Sequence, residues 1–133
     1  MSVNIHEILP QRPPFVFVDE ILECSASRAV TLFCPTEGHP LVFAGHLTMG
    51  GVVETMAQSS AMLGANEHNG RHRGVIAVVK DLEIALQPCV GQSVTTEVSL
   101  LQDVFGMRLV RAVMSSGDEV MARGTLKLMV KSI

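Results

Sequence analysis

The chain has 133 residues, of which 47% are hydrophobic, and 10 basic against 13 acidic side chains give a formal charge of -3. This length and composition predict a single domain over residues 1–133 with a well-packed core. Because the charge is slightly negative, the basic residues are scattered along the sequence and Trp and Tyr are absent, we do not expect nucleic acid as a partner.

The cysteines and the N-terminal residues indicate the cellular compartment in which we expect the protein. Cys24, Cys34 and Cys89 are odd in number and lie far apart in apolar surroundings, which favours a reducing cytoplasm and suggests neither disulfides nor zinc ligands. No basic region followed by an apolar core opens the sequence, and no apolar run approaches the roughly 18 residues of a membrane span. We therefore expect a cytoplasmic protein without a membrane span, a metal or a cofactor.

The first third of the chain predicts a helical turn and two strands. The turn, residues 5–9, ends at Pro10 because a proline disfavours helix in the residue before it. Loose alternation over residues 15–24 predicts one strand, and residues 29–34 predict another. A loop over residues 39–45 follows.

The next stretch predicts one long central helix, from Met49 to about Glu67. Thr48 is a plausible N-cap, and small or apolar residues cover nearly every face of the helix, which is typical of a buried helix. Its only acidic residue before the far end is Glu54. Because a buried carboxylate is costly, Glu54 must be paired, solvated at a dimer edge or part of a functional site.

Apolar and β-branched runs beyond the Asn69-Gly70 turn predict four consecutive antiparallel strands. These runs are residues 74–86, 92–103, 107–115 and 119–130. One helix that is apolar all round, with six strands to cover it, predicts an α+β fold in which a curved antiparallel sheet wraps around the helix. Since one sheet covers only part of the helix, we expect a second copy of the chain to bury some of the rest, in a homodimer.

Several segments carry recognisable motifs. Residues 8–19 read ILPQRPPFVFVD, residues 43–46 read FAGH, and residues 54–58 read ETMAQ. They resemble the LPHRxPFLLVD, FxGH and ExMAQ motifs of the hotdog-fold 3-hydroxyacyl-[acyl-carrier-protein] dehydratases of fatty acid synthesis, with Gln11 where a histidine is usual. Residues 80–82 and 87–92 resemble that family's later strand and its KPVxPGD turn. The loop between His46 and Glu54 is shorter than in the family.

The resemblance implies a hotdog fold, an assembly of two or more copies, and an acyl thioester of acyl carrier protein or coenzyme A as substrate. It also makes His46 and Glu54 the expected catalytic residues. Removing water from a 3-hydroxyacyl thioester requires a base for the carbon beside the carbonyl, and imidazole exchanges protons near neutral pH. It also requires an acid for the departing hydroxyl. A carboxyl in an apolar pocket can remain protonated because burial disfavours its charged form, and we expect Glu54 to be this donor.

The expected substrate-binding residues are Gly45, Gly50, Gly51 and Gln58. Backbone N–H groups at the start of the helix are free to polarise the thioester carbonyl, and glycines there allow a close approach. Gln58 lies four residues after Glu54 on the same helix face, where it either hydrogen-bonds the carboxyl or satisfies a neighbouring backbone group.

Other histidines are weaker candidates. His39 is a candidate for the site entrance, although a loop histidine is more often structural. His68 and His72, with Arg71 and Arg73, are candidates for the phosphates of a carrier arm or coenzyme A, with simple surface solvation as the alternative.

Three functions stay open on the sequence alone. The first is a dehydratase, or its reverse, a hydratase, in fatty acid or related acyl-chain biosynthesis. The second is a thioesterase of the same fold, in which Glu54 activates water or attacks the carbonyl while His46 orients the substrate. The third is a non-catalytic acyl-binding homologue.

The spacing of the two expected catalytic residues predicts a shared site. If the helix begins near Met49, Glu54 lies roughly 7 to 8 Å along its axis, whereas His46 lies in the turn before that start. Only Leu47 and Thr48 are available to reverse the chain between them. We therefore expect His46 of one subunit to face Glu54 of the other.

Overall fold

The computed structural model of the protein describes residues 4–65 and 72–132. Short elements come first in the chain, then the central helix, then four long strands. In order they are α1 Ile5–Ile8, β1 Glu20–Cys24, β2 Arg28–Phe33, β3 Val42–Phe43, β4 His46–Leu47, α2 Met49–Ser60, β5 His72–Ile84, β6 Val94–Val104, β7 Met107–Ser116 and β8 Glu119–Ser132.

Six of the strands form one antiparallel sheet in the order β1-β2-β6-β7-β8-β5. Burial alternates along β2, so that every second side chain faces the helix. Strand β5 lies at one edge, with β8 as its neighbour in the sheet. The predicted α+β layout, a six-stranded antiparallel sheet with a central helix, is confirmed.

Two hairpins turn through the same backbone conformation. Phe105 and Gly106 join β6 to β7 with φ angles of +51° and +79°, and Ala44 and Gly45 join β3 to β4 with φ angles of +53° and +79°. Positive φ at both central residues defines the two-residue turn whose twist matches that of the flanking strands. The small β3–β4 hairpin lies within and just after the predicted loop and was not predicted.

Helix α2 buries one face against the sheet. Val52 and Met56 are fully buried there and pack with core residues of the strands. The opposite face is partly open in the single chain: Met49 is 62% exposed, and Val53 and Ala57 are half-buried. This open apolar stripe is the part of the helix that we expect a second copy of the chain to bury.

The predicted end of the helix near Glu67 is wrong, because α2 ends at Ser60. Beyond it, the N–H groups of Met62 and Leu63 reach back three residues instead of four, and Gly64 adopts φ +70°. Glu67 and the Asn69-Gly70 turn lie outside the described residues. Within the part of the chain that the structure describes, no helix is long and apolar enough to cross a membrane.

The first predicted strand also begins later than expected, at Glu20 instead of residue 15. The backbone of Phe15 and Phe17 forms hydrogen bonds with a side chain, where a strand would form them with a neighbouring strand. The N–H of Phe17 donates to the side chain of Gln58, which donates in turn to the carbonyl of Phe15. These groups are therefore unavailable for pairing in the sheet.

We expect Gly51→Ala to destabilise the fold. A Cβ at position 51 meets Leu47 Cδ1 at 2.4 Å and Leu41 Cβ at 3.3 Å, and Leu47 is fully buried and cannot swing away. Overpacking of this kind costs about 1 to 3 kcal/mol of unfolding free energy, which urea denaturation measures. The matched control is Gly50→Ala, whose Cβ comes no closer than 3.9 Å to Thr48 Oγ1. Equal unfolding free energies for the two variants would contradict the packing argument.

Candidate active site

His46 directly follows the turn of the β3–β4 hairpin, and one of its ring nitrogens is free. Its Nδ1 lies 3.1 Å from the carbonyl oxygen of Ala44, and the ring is exposed. Because a carbonyl oxygen only accepts, Nδ1 of the neutral ring carries the proton and Nε2 keeps its lone pair. Nε2 is therefore the atom that can accept a proton from a substrate.

The backbone around His46 is fixed from two sides. The N–H of Leu47 donates to Pro88 O at 2.8 Å, and the N–H of Thr48 donates to Leu41 O at 2.9 Å. Leu47 is fully buried. Since successive side chains of a strand point to opposite sides, His46 points away from the core that Leu47 enters. His46 lines an open cleft of about 480 Å³ whose other walls are Phe43, Ala44, Thr48, Ala85, Leu86 and Gln87.

Glu54 lies in a different cavity. It is half-buried on α2 and lines a space of about 320 Å³. The other walls are mostly apolar and consist of Ile8, Leu9, Pro10, Gln11, Ala57, Gln58, Ala61, Val75 and Ile76. The apolar surroundings expected for Glu54 are therefore present, whereas the single chain does not bring His46 into the same cavity.

Gln58 orients Glu54. It is only 2% exposed, and its Nε2 donates to Glu54 Oε1 at 3.1 Å and to Phe15 O at 3.0 Å, while its Oε1 accepts the N–H of Phe17 at 2.7 Å. The expected bond to the Glu54 carboxyl and the alternative bonds to backbone groups are thus both present. Because Glu54 Oε1 already accepts a bond, a proton on this carboxyl is carried by Oε2.

The start of α2 leaves two backbone donors free. Thr48 caps the helix as predicted, since its Oγ1 accepts the N–H of Gly51 at 3.1 Å. Among the described residues, the N–H groups of Met49 and Gly50 have no acceptor. Gly50 is exposed, whereas Gly51 is buried beneath Leu47. Gly50 is thus better placed than Gly51 to meet a ligand.

The remaining candidates have mixed outcomes. Gly45 forms the hairpin turn, and its carbonyl accepts the N–H of Val90 at 2.9 Å. His68 and Arg71 lie outside the described residues. Sequence reasoning allowed for a bond from Gln58 to a backbone group but did not identify Phe15 and Phe17 as its partners.

An antiparallel sheet around one helix, with a carboxyl on that helix and a histidine just before it, is the arrangement that the resemblance to the hotdog-fold dehydratases predicts. A family model described as ApeP-like, ApeP dehydratase, matches residues 3–132. The chain belongs to this family, and the dehydratase class predicted from its motifs is confirmed.

Relatives agree with this assignment. The 3-hydroxyacyl-[acyl-carrier-protein] dehydratase FabZ of Acetivibrio thermocellus is 31% identical over 133 residues, covering 95% of this chain and 91% of the relative. The FabZ of Clostridioides difficile is 31% identical over 132 residues, covering 92% of each chain.

Solved structures show the same fold. The dehydratase heterocomplex ApeI:P from Xenorhabdus doucetiae contains a chain with a TM-score of 0.87 at 15% identity, covering 99% of this chain and 93% of that one. A hypothetical thioesterase with coenzyme A from Streptococcus pneumoniae has a TM-score of 0.69 at 11% identity, with 85% of each chain covered. The predicted hotdog fold is confirmed.

We expect Gln58→Leu to destabilise the protein by about 2 kcal/mol. The substitution leaves the N–H of Phe17 and the carbonyl of Phe15 without their partner, and an unsatisfied buried polar group costs about 1 to 3 kcal/mol. Thermal and urea unfolding measure the loss. The control is Gln102→Leu, at an exposed position on β6. A Gln58→Leu variant as stable as this control would contradict the role given to Gln58.

Proposed function

We propose that His46 and Glu54 are the base and the acid of a 3-hydroxyacyl thioester dehydratase. The observation that carries the proposal is the Glu54 carboxyl, which Gln58 orients in a cavity with mostly apolar walls, in a chain of the ApeP-like dehydratase family. A carboxyl held by a hydrogen bond to one oxygen presents its other oxygen to the cavity, where it can give a proton to a departing hydroxyl.

The proposed reaction uses each side chain for one proton. His46 Nε2 takes a proton from the carbon beside the thioester carbonyl, and a double bond forms toward the next carbon. The bond from that next carbon to its hydroxyl breaks, and Glu54 Oε2 gives the hydroxyl a proton, so that water leaves. Return of the proton from His46 to Glu54 restores both groups. The reverse sequence of steps hydrates the enoyl thioester.

The developing negative charge on the thioester oxygen needs a donor. The free N–H of Gly50 at the start of α2 suits this role, because the positive end of the helix dipole lies there and Gly50 is exposed. Gly45 leaves similar space beside His46, since a Cβ at this position has nothing within 4 Å. For Gln58 we propose positioning of Glu54 in place of direct substrate contact, because its amide already has three partners.

A second subunit completes the proposed site. His46 and Glu54 line separate cavities in one chain, and the side chain of His46 points away from its own core. Around His46, Phe43 is 78%, Met49 62% and Leu86 45% exposed, which leaves an apolar rim for a partner to cover. Pairing of the β5 edges of two copies would lay one hairpin over the partner's helix.

We propose that this partner is a second copy, in a dimer or a higher oligomer located in the cytoplasm. The ApeI:P structure is a heterocomplex, so a related dehydratase subunit is the alternative partner. The mass of the purified chain in solution separates the two: a dimer supports the homodimer, and a monomer favours the alternative. The proposed substrate is a 3-hydroxyacyl thioester of acyl carrier protein or coenzyme A, as for the FabZ relatives named for their carrier-protein substrate.

We expect Glu54→Gln to lower kcat for dehydration by roughly 10²- to 10⁴-fold, because the amide cannot give the departing hydroxyl a proton. Fold and substrate binding should be kept, since Gln58 can still bond the side chain at position 54. The assay follows enoyl product and free thiol from the same 3-hydroxyacyl thioester. The matched control is Glu37→Gln, at an exposed loop position. Thiol release without enoyl product would identify a thioesterase instead.

Mixing inactive variants tests the shared site. When His46→Ala and Glu54→Gln proteins exchange subunits, a hybrid dimer gathers both substitutions in one site and leaves the other intact. Random exchange should therefore restore up to about a quarter of the wild-type activity. Mass spectrometry confirms that exchange occurred. No recovery among confirmed hybrids would mean that both residues act within one chain.

A further inference from the structure

The two ring nitrogens of His39 form hydrogen bonds with two separate segments of the chain. Its Nε2 lies 3.3 Å from Val16 O, and its Nδ1 accepts the N–H of Leu41 at 3.3 Å. Because the carbonyl only accepts and the amide only donates, the ring is neutral with its proton on Nε2. The ring also packs edge to face against Phe17 and Phe33, at centroid distances of 4.5 and 5.6 Å.

On one side, the His39 ring fixes the segment that orients the acid. Val16 lies between the two residues whose backbone holds Gln58: Phe15, which accepts a bond from it, and Phe17, which donates one to it. Gln58 in turn donates to Glu54. A shift of the Val16 carbonyl therefore moves both backbone groups that set the direction of the carboxyl.

On the other side, the ring fixes the segment that presents the base. The carbonyl of Leu41 accepts the N–H of Thr48 at 2.9 Å, and the N–H of Val42 donates to the carbonyl of His39 at 3.0 Å. Thr48 caps α2 and directly follows β4, and Val42 begins the strand that pairs with β4. Movement of Leu41 therefore shifts the hairpin that carries His46.

We propose that His39 is a positioning residue that sets both the acid and the base of this enzyme. This inference rests on the proposed function of His46 and Glu54. A rigid ring with a donor on one nitrogen and an acceptor on the other spans the gap between Val16 and Leu41 and also fills the space beside Phe17. In the proposed dimer, each chain contributes His46 to one active site and Glu54 to the other. Each His39 therefore affects both active sites.

The test uses two substitutions at position 39 and one control. His39→Phe keeps an aromatic ring and loses both hydrogen bonds, so kcat should fall by roughly 10- to 100-fold with little change in KM. His39→Gln keeps a donor and an acceptor and should retain more of kcat than His39→Phe. The control is His6→Gln, at an exposed histidine that lines a cavity of about 450 Å³ together with His39. Its kcat should match that of the wild type. Assays run well below the melting temperature of every variant.

Amide hydrogen exchange gives a readout that needs no activity. In His39→Phe the amides of Leu41 and Thr48 on one side, and of Phe17 on the other, should exchange roughly two- to tenfold faster, the effect of losing one ordinary hydrogen bond. Faster exchange on one side only, or an unchanged kcat in folded His39→Phe, overturns the proposal. A wild-type protein that forms no enoyl product contradicts the proposed function, whereas the exchange rates still decide whether His39 ties the two segments together.

Discussion

The amide of Gln58 is the group on which the arrangement of the acid depends. Its three hydrogen bonds join helix α2 to the backbone of residues 15–17 and to Glu54. A buried amide is costly unless its donors and acceptor are matched, so the N-terminal segment must stay where its backbone meets them. That segment therefore lies beside the helix, and β1 joins the sheet only from Glu20 onward.

Patterns that depend on neighbouring residues were predictable from the sequence. The four strands after α2 and the Thr48 cap reflect local geometry, and they lie close to where the sequence indicates. The alternation predicted over residues 15–24 is the exception, because only residues 20–24 form a strand. Glu54 could be singled out for the same reason, because a lone carboxyl on an apolar helix needs a partner. The end of the helix could not be predicted. The hydroxyls of Ser59 and Ser60 bond carbonyls four residues back, and the chain then tightens toward Gly64, which hydropathy alone does not reveal.

The sequence also could not show which residues distant along the chain the fold brings together. The basic residues are scattered along the chain, yet Lys80 and Arg111 lie directly opposite Thr125 from the two neighbouring strands, and Arg123 and Lys127 flank it on its own strand. All of them lie on the face of the sheet turned away from α2, since the residues alternating with them on β7 and β8 are buried. The two cavities of His46 and Glu54 are a grouping of the same kind, because each is formed by segments distant in sequence.

The short connection between His46 and α2 explains why the proposed site needs a second subunit. Leu47 must enter the core, where it packs over Gly51 and is fully buried. Strand geometry then turns the neighbouring His46 outward, and Thr48 is already committed to capping the helix. A longer connection would free the histidine from the constraint that Leu47 imposes. With the short connection, the histidine faces the outside of its own hairpin, and in the proposed dimer the open stripe of α2 on a second copy would pack there.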